Sequence, residues 1–231
     1  MRIEKIAIVG AGRMGRILID KLTSWFDLLV IDKDYKKLEL VNKEYNIKTT
    51  DNLNAVSLAD LIILALPGDA VQPVIELMNN YIRDNQIIVN IATNVTLEMI
   101  SQKLKSNKLV SAKIIGHFHE IKSGEIPIVV LDNVLPYSDL KRIESLLSVF
   151  SKIGITVFGN EKMVKKINTI ASEEGIRAAF YIKEKLKKEG IPEDLIRFAI
   201  RNVASGTMKA FASGDIGPFA QKIIQKIKDD N

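Results

Sequence analysis

Three glycines near the start of the chain are spaced for binding phosphate groups. Gly10, Gly12 and Gly15 follow the apolar run Lys5–Val9 and open a segment with the periodicity of a helix. In this context the first glycine permits a tight turn, the second lets the backbone approach a pyrophosphate, and the third lets the helix pack on the strand. The pyrophosphate charges would rest against unpaired amides at the positive end of the helix.

An acidic residue completes this pattern. Asp32 ends the apolar run LLVID, 17 residues after Gly15, where its carboxylate can accept hydrogen bonds from an adenosine ribose. We interpret the combination as a dinucleotide site; a glycine turn that holds no ligand is the alternative. Asp32 favours NAD(H) because a carboxylate repels the extra phosphate of NADP(H). NADP(H) is possible, because Lys33, Lys36 and Lys37 are close enough in sequence to offset this repulsion.

Further candidates follow the predicted strands, because ligands of an open α/β sheet lie beyond the carboxyl ends of its strands. After the fourth strand, Leu66 and Pro67 would pass over the nicotinamide end of the cofactor, or form an ordinary strand-to-helix turn. After the fifth strand, Thr93 and Asn94 would contact a substrate carboxylate, or cap the helix that begins near Thr96. The predicted cofactor-binding residues are Gly10, Ala11, Gly12, Arg13, Met14, Gly15, Asp32, Lys33, Leu66 and Pro67.

Both histidines of the chain follow the sixth predicted strand. In extended backbone His117 and His119 share one face. We predict His119 as the proton donor to a carbonyl or imine, or as a substrate anchor, and His117 as a substrate contact. The alternative is that one or both histidines are only hydrogen-bonded at the strand end. No metal site is predicted, since His117, His119 and Glu120 supply too few ligands.

A last candidate group lies where the helical part of the chain begins. Lys165 and Thr169 are one helical turn apart. If that face of the helix points at the sheet, an ammonium and its polar neighbours meet the substrate. We predict Lys165 as an alternative acid, with Asn168 and Thr169 as substrate contacts. The alternative is a solvated Lys165.

The elements that must position these residues alternate between apolar, strand-like runs and helical patterns, as is typical of a parallel sheet covered on both faces. We predict an α/β fold, with a Rossmann-type, doubly wound, mostly parallel sheet over residues 1–158 and a small all-helical C-terminal domain over residues 159–231. The predicted strands are Lys5–Val9, Leu28–Ile31, Ile47–Thr49, Leu61–Leu66, Ile87–Ile91, Leu109–Ile115, Ile126–Leu131 and Ile155–Phe158, and the predicted C-terminal helices are Glu161–Lys188, Pro192–Ala212 and Asp215–Lys228.

The helical domain, of about 70 residues, is too small to bury its own apolar faces, which include Phe180, Phe198 and Phe211. We therefore predict a homodimer through the C-terminal helices, and packing against the chain's own sheet is the alternative.

Composition excludes several other classes. The 231 residues are 47% hydrophobic and include no cysteine, which excludes disulfides and thiolate chemistry. The net charge of +5 is too small and dispersed to indicate nucleic-acid binding. No apolar run reaches the roughly 18 residues that span a bilayer, and no signal-peptide pattern is present. We expect a cytoplasmic protein with no membrane partner.

The motifs GAGRMG, LALP and VNIATNV, together with the helical tail, resemble pyrroline-5-carboxylate reductases, within the superfamily of 6-phosphogluconate and 3-hydroxyisobutyrate dehydrogenases. The resemblance is clearest in TIASEEGIRAAFYIKEKLKKEGI and ASGTMKAFASG. It implies helices that interlock two subunits and an active site at their interface. Lys165 with Asn168 or Thr169 looks like the lysine and asparagine motif of the hydroxyacid dehydrogenases. The runs HFHEI and IPIVVLD resemble deazaflavin-dependent NADP reductases.

The substrate motifs depart from those of the reductases. Where the reductases carry Ser-Gly-Ser-Gly-Pro, this chain has Ser172–Ile176 with two carboxylates, which would repel an acidic substrate. We therefore predict an NAD(P)-dependent oxidoreductase, with altered substrate motifs, that transfers hydride to or from a small C=N or C=O substrate. The alternatives are a non-catalytic dimeric NAD(P)-binding sensor and an enzyme like the deazaflavin-dependent NADP reductases.

Overall fold

The computed structural model describes residues 2–101, 103–104, 109–132 and 140–230. The chain forms two compact units, residues 1–168 and residues 169–231. The first unit extends beyond the predicted boundary at residue 158 because the start of the following helix packs on the sheet. Val164 is buried there, and the Asn168 amide donates a hydrogen bond of 2.8 Å to the carbonyl of Ile114.

The first unit is built on an eight-stranded sheet, in the order β3-β2-β1-β4-β5-β6-β7-β8. All neighbouring pairs are parallel except β6 and β7, which are antiparallel. The predicted fold class is confirmed. The strands are β1 (Lys5–Val9), β2 (Asp27–Ile31), β3 (Lys48–Thr50), β4 (Leu61–Leu64), β5 (Ile87–Asn90), β6 (Leu109–Ile115), β7 (Ile128–Asp132) and β8 (Ile155–Gly159).

Helices cover both faces of the sheet, so its central strands are mainly apolar. In β1, Ile6 and Ile8 belong to one core, while Ala7 and Val9 belong to the other. Local chemistry sets the helix ends; the Asp34 carboxylate, for example, caps α2 by accepting from the amide of Lys36. The helices of this unit are α1 (Arg13–Leu22), α2 (Tyr35–Tyr45), α3 (Gly68–Met78), α4 (Leu97–Ser101), α5 (Phe118–Lys122), α6 (Leu140–Phe150) and the start of α7 (Glu161–Lys188), with a 3-10 helix at Leu53–Leu58.

The strand order reverses between β1 and β4, and a crevice opens at their carboxyl ends. Two backbone hydrogen bonds fix the loops there: Gly10 donates to the Ile31 carbonyl (2.7 Å), and Ala65 donates to the Val9 carbonyl (2.8 Å). Gly10 has φ +109°, and a Cβ at this position would lie 2.4 Å from the Ala65 oxygen. Only glycine fits this turn, which brings the loops after β1 and β4 into contact.

Over its described residues, the second unit contains helices joined by short turns and no strand. It contains the rest of α7, then α8 (Glu193–Phe198), a π-helical segment (Ala199–Ala204), α9 (Ser205–Ser213) and α10 (Pro218–Asp229). Among its residues that the structure describes, Ile196 alone is buried.

None of the helices within the described ranges combines the length and apolar character needed to cross a membrane.

Candidate functional site

The glycine loop presents uncapped backbone to an open space. Gly12 is the N-cap of α1, in ordinary extended backbone at φ −73°, and has no side-chain cap. A Cβ at Gly12 would have no atom within 4 Å. At Gly15, in contrast, a Cβ would lie 1.9 Å from the Gly10 oxygen. Gly15 is therefore needed for packing inside the protein, whereas the space in front of Gly12 is available to a ligand.

Asp32 lies at the end of β2 and joins that strand to the glycine loop. Its carboxylate accepts hydrogen bonds from the amides of Ala11 (2.7 Å) and Asp34 (2.9 Å), and Lys37 Nζ is 3.9 Å from Oδ2. A carboxylate offers about four acceptor positions, so the side chain retains capacity for a ribose hydroxyl. Lys33 is exposed beside it.

A cavity of about 390 Å³ lies next to this loop, and eight of the predicted site residues line it. Its walls come from the loops after β1, β4, β5 and β6, and from α7. The predicted residues in its lining are Gly12, Arg13, Met14, Leu66, Pro67, Thr93, His117 and Asn168, and they are joined by Ala65, Ile91, Ala92, Ile114, Gly116 and Phe118.

Four predicted substrate or catalytic residues do not line this cavity. Asn94, His119 and Lys165 are exposed. Thr169 is the first residue of the second unit. The assigned roles of these residues stay predictions.

His117 has a defined hydrogen-bonding state at the cavity wall. It is the N-cap of α5, and its Nδ1 accepts from the amide of His119 at 3.4 Å. The two imidazole rings stack at a centroid distance of 5.4 Å. Nδ1 of His117 therefore holds the start of α5, and Nε2 is the ring nitrogen left for proton exchange.

Thr93 does not serve as the cap of the next helix. Helix α4 begins at Leu97, and the hydroxyl of Thr96 accepts from the amide of Met99 at 3.4 Å. Thr93 instead lines the cavity. Thr96 thus caps the start of α4, and the hydroxyl of Thr93 is available to a ligand.

A buried charged cluster lies beneath the loop after β5, and the sequence did not predict it. Lys113 in β6 is 1% exposed, and its ammonium donates to the carbonyls of Ala92 (2.5 Å) and Val95 (2.8 Å). Glu161, 6% exposed, lies 3.6 Å from Lys113 Nζ. The Glu161 carboxylate also accepts from the Ser111 hydroxyl at 2.8 Å. One signal was available: Lys113 is a charged residue within a strand predicted to be covered on both faces.

Burial lowers the pKa of Lys113 to about 8, against the opposing attraction of Glu161 and, more weakly, Asp132. The unfolded chain consequently binds more protons than the folded chain between about pH 8 and 10.5. We expect wild-type stability, relative to the Lys113→Met variant, to rise with pH across this window and to level off above it. Denaturant unfolding of both proteins at intervals from pH 7 to 10.5 measures this difference.

The control for that series is Lys36→Met, which removes an exposed lysine. Its pH dependence should follow that of the wild type. Parallel curves for the wild type and Lys113→Met would contradict the assignment of the effect to Lys113.

Comparison with known protein families supports the dinucleotide fold. Residues 5–94 match the family described as "NADP oxidoreductase coenzyme F420-dependent". This region runs from β1 to the loop after β5, and so includes the glycine loop, Asp32 and Thr93. It ends before HFHEI and IPIVVLD, the runs that resemble deazaflavin-dependent reductases.

Among curated proteins, the chain is similar to glycerol-3-phosphate dehydrogenases (NAD(P)+), a group that the motifs did not suggest. It is 35% identical over 143 residues to the protein of Fusobacterium nucleatum, covering 52% of this chain and 43% of that protein. It is 26% identical over 181 residues to the protein of a Thermoanaerobacter species, covering 69% and 53%. The chain spans about half the length of these relatives.

Among solved structures, a pyrroline-5-carboxylate reductase from Coxiella burnetii superposes with a TM-score of 0.71 at 16% identity, over 98% of this chain and 90% of that one. A prephenate dehydrogenase from Aquifex aeolicus superposes with a TM-score of 0.65 at 15% identity, over 87% and 77%. At these identities the similarity shows the fold. The predicted resemblance to pyrroline-5-carboxylate reductases is confirmed at that level.

Proposed function

We propose that this chain is an NAD(P)-dependent oxidoreductase that transfers hydride to or from a small C=N or C=O substrate. The observation that carries the proposal is the free space at Gly12, where an added Cβ would meet no atom within 4 Å. The uncapped start of α1 faces that space, and uncapped helix amides bind phosphate oxygens. The names of the matched family and of the curated relatives agree with such a cofactor.

The residues at the crevice have distinct roles in this proposal. Amides at the start of α1 hold the pyrophosphate, and Asp32 accepts from the adenosine ribose. Leu66 and Pro67 line the nicotinamide end of the crevice. There the cofactor, when it is present, supplies or accepts the hydride. Thr93 and Asn168 line the same cavity and orient the substrate.

We assign the proton donor to His117, although His119 was the residue predicted from the sequence. His117 lines the cavity, whereas His119 is outside the lining. For reduction, His117 in its doubly protonated imidazolium form gives the Nε2 proton to the substrate nitrogen or oxygen as the carbon receives hydride, and becomes the neutral imidazole; for oxidation, the neutral imidazole takes the proton back on Nε2. Lys165, exposed on α7, is the alternative acid.

The choice between NAD(H) and NADP(H) depends on the charges around Asp32. Its carboxylate disfavours a phosphate on the ribose, while Lys37 lies 3.9 Å away and Lys33 is exposed next to it. We propose that NAD(H) is preferred, with NADP(H) bound more weakly.

Titrations with NADH and NADPH, followed by nicotinamide fluorescence, test the proposed function. We expect saturable binding of both, with NADH at least several-fold tighter. An Asp32→Asn variant should show a smaller ratio of NADH affinity to NADPH affinity, because the substitution removes the repelling charge and keeps an acceptor oxygen. Binding of neither nucleotide at millimolar concentration would overturn the proposal.

A non-catalytic NAD(P)-binding sensor is the second candidate. It is favoured by Glu173 and Glu174, which stand where the reductases carry their Ser-Gly-Ser-Gly-Pro substrate motif. Absorbance at 340 nm, recorded with a panel of cyclic imines, 2-oxo acids and hydroxy acids, distinguishes the two. An enzyme turns over at least one compound, and a sensor binds the nucleotide while absorbance stays constant. Oxidation of NADPH by a deazaflavin would instead identify a deazaflavin-dependent reductase.

We also propose that the chain is a cytoplasmic homodimer through its C-terminal helices. In the second unit Phe180, Phe198 and Phe211 are 65%, 60% and 63% exposed. Such apolar exposure is typical of an interaction surface. The Phe180→Glu/Phe198→Glu variant should be monomeric, because its two glutamates place charge in the apolar contact between subunits.

Light scattering coupled to size exclusion measures this difference, and the wild type should have twice the mass of one chain. Lys187→Glu, which alters an exposed charge on the same helix, is the control and should stay dimeric. A monomeric wild type at micromolar concentration would contradict the dimer.

A further inference from the structure

The buried cluster around Lys113 connects two walls of the candidate site. On one side, Lys113 donates to the carbonyls of Ala92 and Val95, which flank Thr93 and Asn94 in the loop after β5. On the other side, it lies 3.6 Å from Glu161, the first residue of α7. One side chain therefore contacts both the loop after β5 and the helix that carries Asn168.

We propose that Lys113 is a positioning residue, which holds the loop after β5 so that its residues contact the nicotinamide end of the bound dinucleotide. This inference rests on the proposed function. In this proposal an interior lysine, which touches neither cofactor nor substrate, controls how much the nicotinamide end contributes to the affinity for the dinucleotide.

The distances favour the loop over Glu161 as the main partner of the ammonium. Its hydrogen bonds to Ala92 and Val95 are 2.5 and 2.8 Å, against 3.6 Å to Glu161. Glu161 has other donors within hydrogen-bond distance, namely the amide of Leu97 at 2.7 Å and the Ser111 hydroxyl at 2.8 Å. Loss of Lys113 would thus leave the loop carbonyls without this donor while Glu161 keeps two.

A second residue beneath the loop holds it from the same side. The Asn90 side chain, 0% exposed, donates to the Val95 carbonyl at 2.8 Å and accepts from the Ala92 amide at 3.0 Å. Asn90 and Lys113 thus share the Val95 carbonyl, and each also binds the Ala92 peptide groups. The loop is fixed from below, so its residues lining the cavity, Ile91 to Thr93, have a defined position.

The test compares two ligands that share the adenosine end. Calorimetric titrations with NADH and with ADP-ribose, which lacks the nicotinamide, are made on the wild type and on Lys113→Met. We expect NADH affinity to fall about tenfold, as for the loss of contacts worth one charged hydrogen bond, and ADP-ribose affinity to change less than twofold. A general structural defect would weaken both ligands equally and overturn the proposal, as would unchanged NADH affinity.

Two further variants separate positioning from charge balance. Ser111→Ala removes a donor to Glu161 from the same strand and leaves the loop bonds intact, so NADH affinity should stay within twofold. Lys113→Met/Glu161→Gln removes the unpaired charge and keeps the test available if the single variant does not fold. It should regain thermal stability but not NADH affinity; recovery of both would overturn the proposal. If the wild type binds neither ligand, the proposed function itself fails, and the inference with it.

Discussion

Replacing Gly12 with alanine should weaken dinucleotide binding strongly and leave the protein folded. An alanine Cβ there would contact no protein atom within 4 Å, and φ −73° is ordinary for any residue. The methyl group would occupy the space through which a pyrophosphate reaches the amides of α1. We expect NADH affinity to fall at least 100-fold, which is about 2.7 kcal/mol, with the melting temperature within roughly 2 °C of the wild type.

Gly15→Ala is the matched control, because the same methyl group would meet protein instead of ligand. Its Cβ would lie 1.9 Å from the Gly10 oxygen, so α1 must move away from the turn after β1. We expect this variant to lose about 3 kcal/mol of stability, seen as a fall of roughly 10 °C in melting temperature. Thermal melts and NADH calorimetry on both variants make the comparison. A Gly12→Ala protein that binds NADH normally would show that no phosphate approaches this loop.

Removal of the His117 imidazole should have the second large effect. His117→Asn keeps an oxygen that can cap α5, since asparagine is a good N-cap residue, but it has no group able to exchange a proton near neutral pH. We expect turnover to fall by a factor of about 100 to 10,000, with NADH affinity and melting temperature little changed. The measurement is the initial rate at 340 nm with any compound that the wild type converts.

His119→Ala provides the comparison at the neighbouring position. The His119 side chain does not line the cavity, and the hydrogen bond at the start of α5 involves its backbone amide, which alanine retains. Turnover should change less than about threefold in this variant. A large loss in His119→Ala together with a small one in His117→Asn would return the proton-donor role to His119. Losses that are small in both would direct attention to Lys165.

The sheet and the glycine loop follow from local features of the sequence. All eight predicted strands are present, and β1 has the predicted bounds Lys5–Val9. Strands buried on both faces are near-continuous apolar runs, so each can be recognised without its neighbours. The glycine loop was predictable for a related reason: close backbone approach at Gly10 and Gly15 admits no side chain, which restricts the residue type at each position.

Packing between distant segments selects the polar residues that share the cavity. Thr93, His117 and Asn168 come from three separate segments, and they line one cavity because β4, β5 and β6 are neighbours and α7 packs against β6. Their neighbours Asn94, His119 and Lys165 have similar chemistry and do not line this cavity. Whether a loop or helix residue faces the cavity depends on backbone direction and packing, which residue type and spacing do not specify.

Lys113 is the clearest example of a contact that residue type and spacing do not predict. Its position in β6 was predicted as part of a strand, but its partners at Ala92, Val95 and Glu161 are 21, 18 and 48 residues away in the chain. Only the order of strands and the start of α7 bring these groups together. Residue types alone are thus enough to predict the sheet and the glycine loop, because these depend on local backbone and burial requirements. The assembly of the cavity and the buried charge beneath it was decided by packing between distant segments.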